Sequence, residues 1–471
     1  VGEHSGRHRT MWALVIGTTA FAPPALHRGL AVLPGHARSS TLVGVMAFAP
    51  AGLHRGLALL PPHARSGGRH LMVLTQPMVV DVSDLAAEPL LSGLQGKALE
   101  PAQLEVPSKS EVRAVIPDHC FKRDTRRSLG HLAQSGVLTA ICVVAGALTI
   151  PMHLAALPLW LLYAGVTGTV AMGLWVLAHE CGHGAFSDNR RLQDVVGYAL
   201  HSALLVPYFS WQRSHAVHHA HTNHVTRGET HVPIVLGGGP TVDTPGGAEA
   251  IAIGRRLGHA LHGAGQLLGH LTIGWPAYLL AGISGGRAWH SPRPGNHFWP
   301  SAPFSAALWP GRWANKVLHS SAGVAAVLGM LCAAAARYGG WRVAALYAGP
   351  LLVVNAWLVT YTWLQHTDVD VPHLDDHAFS YMRGAFLTID RPYPPLVDWL
   401  HHRIGTTHVA HHIDCTIPQY HAREATEAIK RAFPHCYLYE PTPIHRALWR
   451  VACNCVATRP IGNGRYAFIP M

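Results

Sequence analysis

The sequence predicts an all-α integral membrane protein, with four transmembrane helices in two hairpins and a cytosolic helical cap holding a di-metal centre. Three observations lead there. Hydrophobic residues make up 49% of the 471 and charged residues only 13%, against about 25% charged in ordinary soluble domains. Four long runs carry no charged side chain. Three histidine clusters, His179/His183, His215/His218/His219 and His408/His411/His412, place imidazoles three or four residues apart, on one face of a helix.

The apolar runs define the membrane part. Residues 132–150 and 155–178 are each long enough to cross a hydrocarbon core of about 30 Å. Only Pro151 to Leu154 separate them, so they form a hairpin. A second pair, 317–336 and 343–364, turns at Arg337 to Arg342. Lys122, Arg123, Arg126 and Arg127 precede the first run, Arg190 and Arg191 follow the second, and Arg312 and Lys316 precede the third. Basic flanks face the cytosol, although Arg337 and Arg342 run against that pattern. The net charge of +11 is dispersed between apolar spans and not gathered on one polar domain, which argues against a nucleic-acid partner.

Around this core the chain divides into further segments. Residues 1–71 form a low-complexity extension in which AFAPPALHRGLAVLPGHARS, from Ala20, returns as AFAPAGLHRGLALLPPHARS from Ala47. Copies so rich in Ala, Pro, Gly and Arg cannot build a solenoid core, so the extension is read as disordered, with translation starting at Met72 or Met78. An amphipathic targeting segment is the alternative. Residues 72–131 read as a cytosolic N-terminal segment, 132–364 as the membrane domain, and 365–471 as a cytosolic C-terminal cap. Within the membrane domain, 192–209 and 265–284 are apolar but interrupted by Asp194, His201, His270 and Pro276, which suits interfacial helices. The cap shows one amphipathic helix near Glu424 to Phe433. The eight cysteines lack a paired framework and read as reduced thiols, Cys453 and Cys455 forming an isolated C-x-C.

Parity brings the histidines together. The first cluster follows the second span, the second precedes the third span, and the third follows the fourth; even numbers of crossings separate them, so all three face one compartment. With 36 histidines in 471 residues, the pattern His-x-x-His-His is expected about 0.2 times by chance, yet it occurs at His215 and again at His408. Eight ligands are too many for one ion, which implies two metals. Neutral imidazole suits iron, copper and zinc, and spacing alone does not choose between them. A zinc-binding membrane transporter or receptor-like protein is the rival reading from another class; it places ligands along a path through the bilayer.

HECGHGAF from His179, PYFSWQRSHAVHHAHTNH from Pro207 and HVAHHIDCTIPQYHAREATEAIK from His408 resemble the three histidine boxes of the membrane-bound fatty acid desaturase family, closest to the delta-12 (oleate) branch. The resemblance runs with gaps from about residue 118 to 435 and includes WLQHTD around His366. It implies two non-heme irons as cofactors, held by His179, His183, His215, His218, His219, His366, His408, His411 and His412. It further implies an acyl-lipid substrate, O2, and electrons from cytochrome b5 and its NADH reductase. The setting it implies is multi-pass in the endoplasmic reticulum membrane with a cytosolic active site. One iron would take His179, His219, His366 and His412, the other His183, His215, His218, His408 and His411. The chain departs from the branch at HAVHH, at the ThrAspValAsp after His366 and at Ile413 to Cys415, changes that bear on regioselectivity. An omega-3 desaturase, or a hydroxylase, epoxygenase or acetylenase on the same scaffold, stays open.

The expected chemistry follows from the substrate. An unactivated methylene has no acidic proton and no polar handle, so acid–base and nucleophilic groups cannot begin its oxidation. Glu180, Asp188 and Asp414 are candidates to orient imidazoles; His221, His224 and His231 are candidates for proton relay. Tyr208, Trp211 and Trp363 are expected to pack the core or anchor the interface. No heme-binding HPGG motif is present, so the electron donor is expected to be a separate protein.

Overall fold

A computed structural model describes Leu94 and residues 105–469, all within one compact unit. The repeat, both candidate start methionines and most of the 72–131 segment lie outside the described residues. Among the described residues, four helices are long and apolar enough to cross a membrane: Thr125–Thr149, Leu154–His183, Trp313–Tyr338 and Gly340–His366. The helices outrun the apolar runs because different forces set their ends. Membrane crossing requires an apolar stretch, whereas a helix ends where its backbone groups find caps. The first starts at Thr125 because the Asp124 side chain accepts from the N–H groups of Arg126 and Arg127. The second continues through the first histidine cluster to His183 and stops at Gly184, which is left-handed (φ 77°). The first cluster is therefore part of the second helix, where the apolar run alone placed it just beyond.

The first helix leaves Val137, Ile141, Val144 and Leu148 exposed, side chains that lipid must solvate. The second is the most buried of the four and packs along the fourth. Small residues permit that approach: a Cβ at Gly168 would lie 2.5 Å from the Pro350 carbonyl oxygen and from Val353 Cβ. The segment expected at 192–209 is two helices. Asn189 caps Arg190–Ala203, the chain breaks before Pro207, and Tyr208–Ala220 carries the second cluster. The segment expected at 265–284 comprises His259–Gly269, a π turn at His270–Gly274, and Trp275–Ala281. His270 stacks on Trp363 of the fourth helix, ring centroids 4.0 Å apart.

The cap contains the expected amphipathic helix, Gln419–Ala432, and a second one at Ile444–Asn454. A small sheet that the hydropathy reading did not foresee joins three cap strands to one from the 220–240 segment. Strands Ile234–Val235, Ala457–Gly462, Arg465–Phe468 and His373–Leu374 pair in that order. Asn463 and Gly464, both at positive φ, turn the hairpin between Ala457–Gly462 and Arg465–Phe468, the residues such a turn favours. No two cysteines form a disulfide, and Cys453 and Cys455 are buried in the cap's packing.

One buried ionic network ties the cap to the end of the fourth helix. Arg391, fully buried, donates to Asp368 at 2.6 Å, to Glu440 and to the Leu364 carbonyl at 2.9 Å. Arg450 bonds the same Asp368 at 2.7 Å. Removing one member strands a buried charge, at about 3–5 kcal/mol. Arg391→Ala should therefore lower stability by about that amount, read as a fall in the thermal midpoint of the detergent-solubilised protein; an unchanged midpoint would refute the role.

Candidate metal centre

Four stretches of chain supply the imidazoles. His179 and His183 occupy the last turns of the second spanning helix, and His366 is the last residue of the fourth. His215, His218 and His219 project from Tyr208–Ala220; His408, His411 and His412 come from the short helix His408–Ile413. Six residues cannot sustain a helix on propensity alone. Asp390 holds this one: its Oδ1 accepts the N–H groups of His408 at 2.6 Å and Val409 at 3.0 Å, and Tyr437 donates its hydroxyl to Oδ2 at 2.8 Å. Burial pushes the Asp390 pKa up to about 7, against the pull of those donors.

All nine histidines meet in two adjoining groups. His179, His183, His215, His219 and His411 place one nitrogen each within 4.8 Å of the others, and His218, His366 and His412 do likewise. His408 joins the second group, its Nε2 3.0 Å from that of His366. Within the groups, Nε2 atoms approach at 3.2 Å for His179/His183 and His215/His219 and at 3.1 Å for His218/His366. His219 and His412 stack across the divide at 4.0 Å. This grouping differs from the partition drawn from resemblance, which separated His179 from His183 and His215 from His219. Residues four apart on one helix aim at the same point, so those pairs stay together, and His218, off that row, faces His366 instead.

Seven of the nine are buried, and His183 and His215 are partly so. Burial pushes the His218 pKa down to about 3 and holds His215, His219, His408, His411 and His412 well below the ordinary value, with neighbouring imidazoles adding to the effect. The rings are thus neutral, each with a lone pair to offer. The Nε2 atoms of His411 and His412 are buried without a hydrogen-bond partner, a costly arrangement unless a cation accepts them. These residues fit a pair of metal ions with nitrogen-rich ligation. Trp211 stacks on His215 at 4.6 Å and Trp175 on His179 at 5.6 Å, forming an apolar wall. Beside His411 and Glu180 lies a void of about 10 Å³, room for one water at most.

The expected neighbours divide. Glu180 Oε1 lies 3.6 Å from His179 Nδ1, and its other oxygen accepts the Gln419 N–H at 2.9 Å. Asp188 pairs with Arg123 in solvent, and Asp414 pairs with Lys109 and Arg113, cationic partners away from the imidazoles. His224 bonds Asp376 at 3.0 Å, His221 lies against Phe379 and Trp289, and His231 stacks on His366 at 6.3 Å. Tyr208, Trp211 and Trp363 are buried in packing. Two residues that orient the centre escaped the sequence reading. Thr222 bonds His412 Nδ1 through its hydroxyl at 3.1 Å, and helical spacing from His218 could have exposed it. Asp390 stands too far upstream of its helix for any local signal.

The sequence profile of fatty acid desaturases matches residues 153–442. The chain is 40% identical over 357 residues to the Delta(12)-acyl-lipid-desaturase of Punica granatum, covering 74% of this chain and 86% of that one. It is 39% identical over 360 residues to the endoplasmic reticulum omega-6 fatty acid desaturase of Brassica juncea, with coverage of 75% and 88%. To the Delta(12)-fatty-acid desaturase of Arabidopsis thaliana it is 38% identical over 368 residues, covering 76% and 89%.

Because Asp390 orients a helix that carries three of the nine imidazoles, Asp390→Ala should weaken metal retention by about 10–100-fold. Metal content of the purified variant after dialysis, measured by mass spectrometry, checks this; wild-type retention would exclude the role.

Proposed function

The chain belongs to the fatty acid desaturase family, and on that premise we propose that it introduces the delta-12 double bond into an esterified C18 acyl chain, converting oleate to linoleate. The observation that carries the reading is the meeting of nine imidazoles in two adjoining groups, which suits two metals acting on one substrate. The relatives' names support the regiochemistry and the endoplasmic reticulum as its place. We assign the ligands as His179, His183, His215, His219 and His411 for one ion and His218, His366, His408 and His412 for the other.

Bound there, two irons with O2 supply the oxidising power that an unactivated methylene demands. The reaction balances when the acyl chain gives up two hydrogens, a donor protein supplies two electrons, two protons come from water, and O2 leaves as two waters. The protein's own contribution is positional. Neutral imidazoles hold lone pairs on the ions without competing for protons. Trp175 and Trp211 exclude water from one side, and Thr222 fixes the ring of His412. Cytochrome b5, reduced by its NADH reductase, is the proposed donor, docking on the cytosolic side to which both hairpins return the chain.

Expression in a yeast that makes no dienoic acids should yield linoleate in its lipids; the absence of any new diene would overturn the assignment. His408→Ala should abolish that product while the protein stays in the membrane, and retained activity would remove His408 from the ligand set.

A further inference from the structure

Away from the paired groups, four more ligand-type side chains converge. His119, Cys120, His421 and Glu424 each place a donor atom within 4.8 Å of the others. His119 and Cys120 sit in the turn Asp118–Phe121, just before the first spanning helix. His421 and Glu424 stand three residues apart on Gln419–Ala432 and so share a face. His119 Nε2 is 2.8 Å from Glu424 Oε2 and 3.7 Å from Cys120 Sγ, and the rings of His119 and His421 meet edge to face at 5.3 Å. The negative Glu424 carboxylate nearby adds to the burial that holds the Cys120 thiol protonated.

A hydrogen bond between His119 and Glu424 accounts for two of the four. Sulfur, two imidazoles and a carboxylate together are a zinc-type donor set. Bond lengths of about 2.0–2.1 Å to nitrogen and 2.3 Å to sulfur at a tetrahedral ion separate those two donors by nearly the His119–Cys120 spacing seen here. The half-exposed His119 and Glu424 leave the point of convergence open to an incoming ion.

We propose that His119, Cys120, His421 and Glu424 form a divalent-cation site of the zinc class on the cap, clamping the turn at 118–121 to the helix that follows the third histidine cluster. On binding, the Cys120 thiol releases its proton to water as the sulfur–metal bond forms. The His119–Glu424 hydrogen bond opens, and both donors turn to the ion. Because the thiol proton is released on binding, occupancy strengthens with rising pH.

Cobalt(II) titration of the purified full-length protein tests the site, because among the described residues neither imidazole group contains a cysteine. A near-ultraviolet thiolate-to-cobalt absorption should appear, be bleached by added zinc(II), and vanish in Cys120→Ser. Since Cys120 is buried and that variant can fail to fold, His421→Ala on the helix face gives the second reading. Loss of a direct ligand should weaken the absorption's cobalt affinity by at least the roughly 10-fold that outer partners cost. No thiolate absorption in the wild type, or unchanged affinity in His421→Ala, would overturn the site.

Discussion

Nine imidazoles, most of them buried, meeting in two adjoining groups can coexist only uncharged and only if something accepts their lone pairs. That constraint orders the rest of the molecule. A protonated ring in either group would face its neighbours' like charge in a medium that screens poorly. The rings must therefore be delivered with their nitrogens already aimed, by backbone that cannot relax away. Two spanning helices do so by running past their apolar segments and ending in ligands, His183 and His366. Both point the same way because each closes a hairpin.

The remaining ligands ride on pieces too short to hold themselves. His408–Ile413 depends on Asp390, and the segment that carries Asp390 continues into Arg391, whose ionic network grips the end of the fourth helix. Two consecutive side chains thus join the third cluster to His366. Gly168 plays the matching part between the two central helices, where any side chain would hold them apart.

Much of this could be read in the residues. Charge-free runs mark the spans, and parity of crossings puts all three clusters on one side. Spacing of four named the pairs His179/His183 and His215/His219, though the partition drawn from resemblance then divided them. What stayed hidden was long-range. Nothing near Asp390 announces a helix 18 residues on, and strands of two residues such as Ile234–Val235 are too short for alternation to show. The Asn463–Gly464 turn is a local hairpin signal, but the strands it joins are too short for alternation to mark them. Glu180 beside His179 was foreseen; Asp188 and Asp414 have side-chain character suited to the centre but lie with cationic partners elsewhere.

The scattering of ligands along the chain has a consequence for biogenesis. Each group takes at least one member from the helix His408–Ile413, which leaves the ribosome after both hairpins. Neither ion can be fully enclosed while synthesis is under way. A metal pair held by these groups would be caged only once both hairpins are in place, and a chain ending before His408 would present an incomplete set of nitrogens.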